Sequence, residues 1–192
     1  MDPHDPVASP FGWHDTDGVA GAESTLTLGN NADAYTDTDG NNIPDPGSRP
    51  DGGATLEFAP PLDLTQPPSA NRPAAVVNLF YWANRVHDIE YAHGFDEAAG
   101  NFQVNNYGRG GTGGDPVLAE AQEGTATCGG HFFAGPDGTP GRLHAYICGL
   151  TTPARDGAFD NFVQVHELGH GIGLRLVGGP ATTGCLANAE QP

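Results

Sequence analysis

The sequence predicts an α+β domain: a mixed sheet and hairpins, with one long helix and a second helix near the C-terminal end. Three observations carry this. The 192 residues include 29 Gly and 17 Pro but only 16% charged residues, which disfavours a helical bundle or coiled coil. Only two stretches place apolar residues at helical spacing. Elsewhere, short extended runs are separated by Gly, Asn, Pro and Asp. The length suits one domain with a core of its own, and no internal repeat divides it.

Residues 1–70 read as loops and short strands, the clearest being 25–28 and 55–58. The first helix starts at a cap provided by Ser69 or Asn71, with Pro73 in its first turn. Val76, Val77, Phe80, Asn84, His87 and Tyr91 then share a face, and Gly94 stops the helix. Residues 100–118 return to loop. The Gly-rich run at 108–114 is no phosphate loop, because no Gly-Lys-Ser/Thr follows it. Residues 126–133 and 142–149 form a hairpin around a turn at 135–141. Cys128 and Cys148 are centred on Gly138, so they face each other across it. A Cα separation of about 4.5–5.5 Å follows, which is within disulfide range and leaves Cys185 over. The second helix covers 159–175, with Asp156 or Asp160 at its positive end, and Gly178-Gly179-Pro180 ends it.

Charge and hydropathy exclude several classes. The net charge is −17 and all seven basic residues are Arg, so a phosphate backbone finds no basic face and nucleic acid is not a partner. No apolar stretch is long enough to span a membrane, and no basic start leads into an apolar signal segment. Ten of the sixteen Asp lie between Asp2 and Asp63, which reads as a solvated acidic surface. Within it, Asp37-Thr38-Asp39-Gly40-Asn41 and Asp45 place oxygen ligands around a glycine turn, an arrangement calcium favours. It is not an EF-hand, since position 48 is Ser, and an Asx-rich turn without an ion is the alternative.

The chemistry concentrates in His166-Glu167-Leu168-Gly169-His170. Residues four apart on a helix share a face, so His166 and His170 can reach one ion. Two imidazole donors suit zinc. Glu167 points beside the metal rather than at it. Zinc makes a bound water acidic, and the neighbouring carboxylate takes its proton as that water attacks a carbonyl. Gly169 and Gly171 each cost the helix roughly 1 kcal/mol against Ala, which implies another backbone packed close to the motif. His87-Asp88 looks like a dyad, but adjacent helical residues point about 100° apart, so the two read as structural. His14, His93 and His144 have no partner at metal spacing and read as packing or surface residues.

Beyond the motif, segments along nearly the whole chain match one family in order: Ala8-Ser9-Pro10-Phe11-Gly12-Trp13-His14-Asp15, Asn78-Leu79-Phe80-Tyr81-Trp82, Gly94-Phe95-Asp96-Glu97-Ala98-Ala99-Gly100-Asn101-Phe102-Gln103, Asn105-Asn106-Tyr107-Gly108, Arg155-Asp156-Gly157, the His-Glu motif, Arg175-Leu176-Val177-Gly178-Gly179-Pro180 and Cys185-Leu186. The chain resembles the fungalysin family of secreted zinc metallopeptidases, in a bacterial-type version. The resemblance implies the N-terminal lobe of a thermolysin-like zincin fold across residues 1–192, lacking a C-terminal helical lobe. It implies a secreted endopeptidase of proteins and peptides, made with a propeptide in its precursor. His166 and His170 would be zinc ligands and Glu167 the catalytic base. Relatives take a third ligand from a Gly-Glu-Gly-Trp segment just beyond the point this chain reaches, so the chain alone is expected to bind zinc weakly. Glu190 is the one late carboxylate that could substitute. Where relatives carry Asn-Asn-Ala-Asn-Phe, this chain has Cys128-Gly129-Gly130-His131-Phe132, so Gly129, Gly130 and His131 are the substrate-facing candidates on an edge strand. His131 is also readable as an ordinary exposed strand residue. Two other classes compete with the enzyme: a non-catalytic lobe with an incomplete site, and a calcium-stabilised extracellular module in which the His pair is incidental.

Overall fold

The computed structural model describes residues 3–186. Strands β1 (Ala32–Thr36), β2 (Val117–Glu123), β3 (Gly130–Phe133), β4 (Gly141–Cys148) and β5 (Arg155–Asp156) form one mixed sheet, with β1-β2-β4-β3 in spatial order and β5 on the end of β4. The β1–β2 and β2–β4 pairs are parallel; β3 and β5 run antiparallel to β4. Side-chain alternation gives the sheet two faces. Ala32, Ala34, Val117, Ala119, Ala121, Leu143 and Ala145 point into the apolar core. The small residues let helices α1 (Arg72–Ala92) and α2 (Asn161–Leu176) lie close against that face. The result is an α+β fold with both helices on one side of the sheet.

The opposite face is polar yet buried. Glu120 accepts a hydrogen bond from the Tyr35 hydroxyl at 2.9 Å, pairs with Arg142 and lies 3.0 Å from His144 Nε2. His144, expected as a packing or surface residue, is therefore part of a buried ion-pair network. The His144 Nδ1 lies 3.7 Å from Glu123 Oε2.

Several sequence expectations need correction. Residues 25–28 and 55–58 are not strands. The first makes only the isolated bridges Leu26↔Asp51 and Leu28↔Asp33. The second enters from a 3-10 turn, Gly53–Thr55, and is broken by left-handed Leu56 at φ 52°. The strands that build the sheet's parallel core, β1 and β2, were missed. Asn71 sits at the first cap position of α1 but does not cap it: its amide bonds the Asp63 backbone N–H and carbonyl instead. The buried face of α1 is also wider than expected, taking in Ala75, Leu79, Ala83 and Val86. His87 Nδ1 does reach Asp88 Oδ1, at 3.2 Å, so the two form a direct contact. Flexible χ angles overcome the angular offset of adjacent positions, because Asp88 is held in place by three further donors: Asp5 N, Ser9 Oγ and Trp13 Nε1.

The hairpin forms, but its first strand starts at Gly130 rather than at 126. Cys128 and Cys148 are disulfide-bonded with Cα atoms 4.1 Å apart, and Cys185 is free and exposed. The strand register pairs His131 with His144, one residue off the register the disulfide implies. Cys128 and Gly129, both left-handed at φ 64° and 79°, absorb the offset.

Candidate active site

α2 carries the motif. A 3-10 turn, Gly157–Phe159, leads into it, and two aspartates cap the two turns separately. Asp156 accepts from Ala158 N at 2.9 Å, and Asp160 accepts from Val163 N at 3.3 Å. Gln122 Nε2 holds the other oxygen of Asp156 at 2.8 Å. Burial raises the Asp156 carboxyl above its ordinary range, while Gln122 and the Ala158 amide pull it back. Asn78 of α1 adds a bond to Ala158 O at 2.7 Å and to Asn161 Oδ1 at 2.8 Å, fixing the start of α2 against α1.

The far end of α2 is anchored by Arg175. It is fully buried and donates to the carbonyls of Gly100, Gly135, Pro136 and Thr139, and to Asp115 Oδ2 at 2.8 Å. Its guanidinium stacks 4.1 Å from the Phe102 ring centroid. Burial pushes the Asp115 carboxyl up to about 6, with Arg175 opposing the shift. The sequence named Arg175 only within a family segment; a lone Arg on the motif helix gave no other signal of this role.

Between these anchors, Leu168 enters the core and leaves His166, Glu167 and His170 on the outer side. The two Nε2 atoms face each other at 2.9 Å, and ligand atoms of His166, Glu167 and His170 all fall within 4.8 Å of one another. One tetrahedral zinc with bonds near 2.05 Å would hold two such nitrogens about 3.3 Å apart. The observed spacing is within half an ångström of that, so the pair fits the ion with a small adjustment. Glu167 is half-buried. A Cβ built on Gly130 would lie 3.0 Å from its Cγ, so the beginning of β3 runs directly over the motif carboxylate.

The three substrate-facing candidates separate. Gly130 lies on Glu167; Gly129 is an exposed left-handed turn; His131 points to solvent and packs on Phe133 at 4.2 Å. The two motif glycines also differ. A Cβ on Gly171 would run into the Phe132 ring, so the close neighbour there is a side chain rather than the backbone expected. A Cβ on Gly169 would meet nothing within 4 Å among the described residues outside its own helix. Glu190 lies outside the described residues. A groove of about 790 Å³ lined by Trp13, His14, Phe58, Phe80 and Tyr81 contains none of the motif residues. Among the described residues, the start of β3 forms a wall beside Glu167.

The family described as fungalysin metallopeptidase (M36) matches residues 1–192. Extracellular metalloproteinase MEP of Pyricularia oryzae is 42% identical over 189 residues, covering 98% of this chain and 29% of the relative. The protein of the same name from Fusarium vanettenii is 43% identical over 191 residues, 99% of this chain and 29% of the relative. Extracellular metalloproteinase 5 of Trichophyton rubrum is 45% identical over 184 residues, 95% of this chain and 28% of the relative. The chain therefore spans under a third of the length of these curated relatives. A match over the whole chain leaves one conclusion: the chain belongs to the fungalysin family of metallopeptidases.

Proposed function

We propose that this chain provides the zinc-holding and proton-transferring part of a secreted metalloendopeptidase that hydrolyses internal peptide bonds of proteins. One observation carries the reading: two imidazole nitrogens 2.9 Å apart with a carboxylate in the same 4.8 Å cluster, directly beneath an edge strand. His166 and His170 hold the ion. When bound, zinc supplies a Lewis acid for the scissile carbonyl and acidifies the attacking water. Glu167 takes that water's proton and hands it to the leaving amine. Its place beside the His pair keeps its carboxylate free for this transfer. β3 has an open edge, and its backbone groups can pair with an extended substrate, which brings the peptide past Glu167. Gly130 keeps the approach narrow, His131 offers a polar contact at the rim, and Gly129 supplies no side-chain clamp.

A catalytic zinc normally takes three protein ligands, so the third comes from outside the described residues. The relatives' extracellular names and the Cys128–Cys148 disulfide support a secreted protein; a propeptide in its precursor is part of the same proposal. Calcium at the Asp37–Asp45 loop would serve stability rather than turnover, since the loop shares no residue with the motif. The test uses a protein that carries the remaining length of the relatives. There Glu167→Gln should lower kcat about 10²–10⁴-fold on casein with zinc still bound. Unchanged turnover in Glu167→Gln would remove Glu167 as the base.

A further inference from the structure

β3 is an edge strand of the sheet, and its position beside Glu167 is fixed from both ends. At its start, the Cys128–Cys148 disulfide joins the chain just before it to the end of β4. Along its length, the Phe132 ring packs into the space that Gly171 of α2 leaves. At its far end, residues 134–140 turn the chain into β4, and that turn closes around one side chain of α2. Arg175 donates from Nε to Gly135 O at 2.9 Å, and from Nη2 to Pro136 O at 3.2 Å and Thr139 O at 2.8 Å. Its Nη1 donates to Gly100 O at 2.7 Å and to Asp115 Oδ2 at 2.8 Å.

A guanidinium is a rigid planar fork of N–H donors, and each nitrogen of Arg175 has an acceptor here. Burying a cation is costly unless hydrogen bonds and a counter-charge replace water, and this set of carbonyls with Asp115 does so. A basic residue in the last turn of a helix ordinarily meets that helix's own final carbonyls. Arg175 directs these bonds to other segments instead, most of them to the turn that continues β3. Its counter-charge is bonded to the same turn, since Asp115 Oδ2 also accepts from Gly138 N at 3.0 Å. The chain leaving α2 joins it too, with Asp137 N donating to Pro180 O at 2.9 Å. The two ends of α2 therefore have different duties. Its start is capped by Asp160 and held to α1 by Asn78, while its end carries a clamp on the β3–β4 turn.

We propose that Arg175 is a positioning residue for peptide hydrolysis: by clamping the β3–β4 turn onto the motif helix, it sets the place of the substrate-pairing strand relative to Glu167. This rests on the reading that an extended peptide pairs with the edge of β3. Arg175 touches neither the metal ligands nor the substrate, so it acts through the strand alone. A substrate that spans only the scissile bond depends on the zinc ligands and Glu167. A longer one also depends on the backbone groups of β3, and it is the one that feels a displaced strand. Lysine cannot replace the clamp, because a point charge on a flexible stem cannot serve a fixed fork of carbonyls.

The experiment compares wild type with Arg175→Lys in the protein that carries the remaining length of the relatives, well below both melting temperatures. Two substrates are used: a blocked dipeptide spanning only the scissile bond, and a peptide of about eight residues centred on the same bond. Arg175→Lys should raise KM for the longer peptide about tenfold and for the dipeptide by less than about twofold. Zinc affinity by chelator competition should stay within about threefold of wild type, because His166 and His170 are untouched. If Arg175→Lys does not fold, Asp115→Asn decides the matter. It keeps the shape, removes the charge facing the guanidinium, and should show the same dependence on peptide length. A lowered melting temperature with both KM values unchanged overturns the positioning role, and so does an equal rise for the two substrates. Zinc-loaded wild type that cleaves neither peptide overturns the peptidase reading itself, and the positioning role with it.

Discussion

Asp88 receives four donors within hydrogen-bond distance: Asp5 N, Ser9 Oγ, Trp13 Nε1 and His87 Nδ1. Through it the N-terminal segment is tied to the middle of α1. Burial alone would raise this carboxyl, but the bonds from His87, Trp13 and Asp5 outweigh it and hold the group below its ordinary value of 3.8. A depressed folded pKa gives stability that is present above the ordinary value and lost as pH falls through the folded one. Asp88→Asn should therefore cost about 2–3 kcal/mol at neutral pH, because charge-assisted bonds weaken and one donor faces a donor. The cost should shrink as pH falls below 3.8 and through the lower folded value, where the wild-type carboxyl also becomes protonated. Urea unfolding at neutral and acid pH checks this; an equal loss at both would contradict it. At this scale the sequence was informative about residue types but not about partners. The offset of about 100° between adjacent helical positions reads His87 and Asp88 as structural. Their contact was excluded on helix geometry that ignores side-chain reach.

At the scale of elements, α2 and β3 decide the geometry of the site, and the two motif glycines separate their contributions. Gly171 faces the Phe132 ring with no room for a methyl group, whereas Gly169 faces open space. Gly169→Ala should stabilise the described fold by about 1 kcal/mol, since only helix propensity changes. Gly171→Ala gains the same propensity but overpacks the ring, for a net loss of about 1–2 kcal/mol. Thermal melts of the two variants should move in opposite directions; movement in the same direction would contradict the packing. The helices and the hairpin were legible from periodicity and from the Gly138-centred cysteine pair. β2 was not. Leu118-Ala119-Glu120-Ala121-Gln122-Glu123 consists of good helix formers, and its extended state comes from pairing with β1 and β4 on both sides. Parallel pairing joins segments far apart in sequence, so no local turn signal announces it.

For the whole molecule, apolar side chains are exposed at both ends of the motif helix. Phe162 is 81% exposed, and Leu176 and Val177 are about half exposed. Exposed apolar surface of this kind marks a face that packs against something else. Relatives more than three times as long have polypeptide to place there. The motif itself was legible because the spacing of two histidines on a helix carries its own geometry. The wall above it was legible only in outline: Gly130 was named, but its place over Glu167 depends on how the sheet stacks on α2.

In the proposed reading, His166 and His170 are the ligands and Glu167 is a base that does not hold the metal. Zinc affinity by chelator competition, measured on the protein and on His166→Ala, His170→Ala and Glu167→Gln, tests it directly. Each His substitution should weaken zinc by more than about a hundredfold, beyond what the loss of an outer-sphere partner costs. Glu167→Gln should leave the affinity within about tenfold of wild type. Zinc that survives either His substitution, or that is lost equally in Glu167→Gln, would contradict the account.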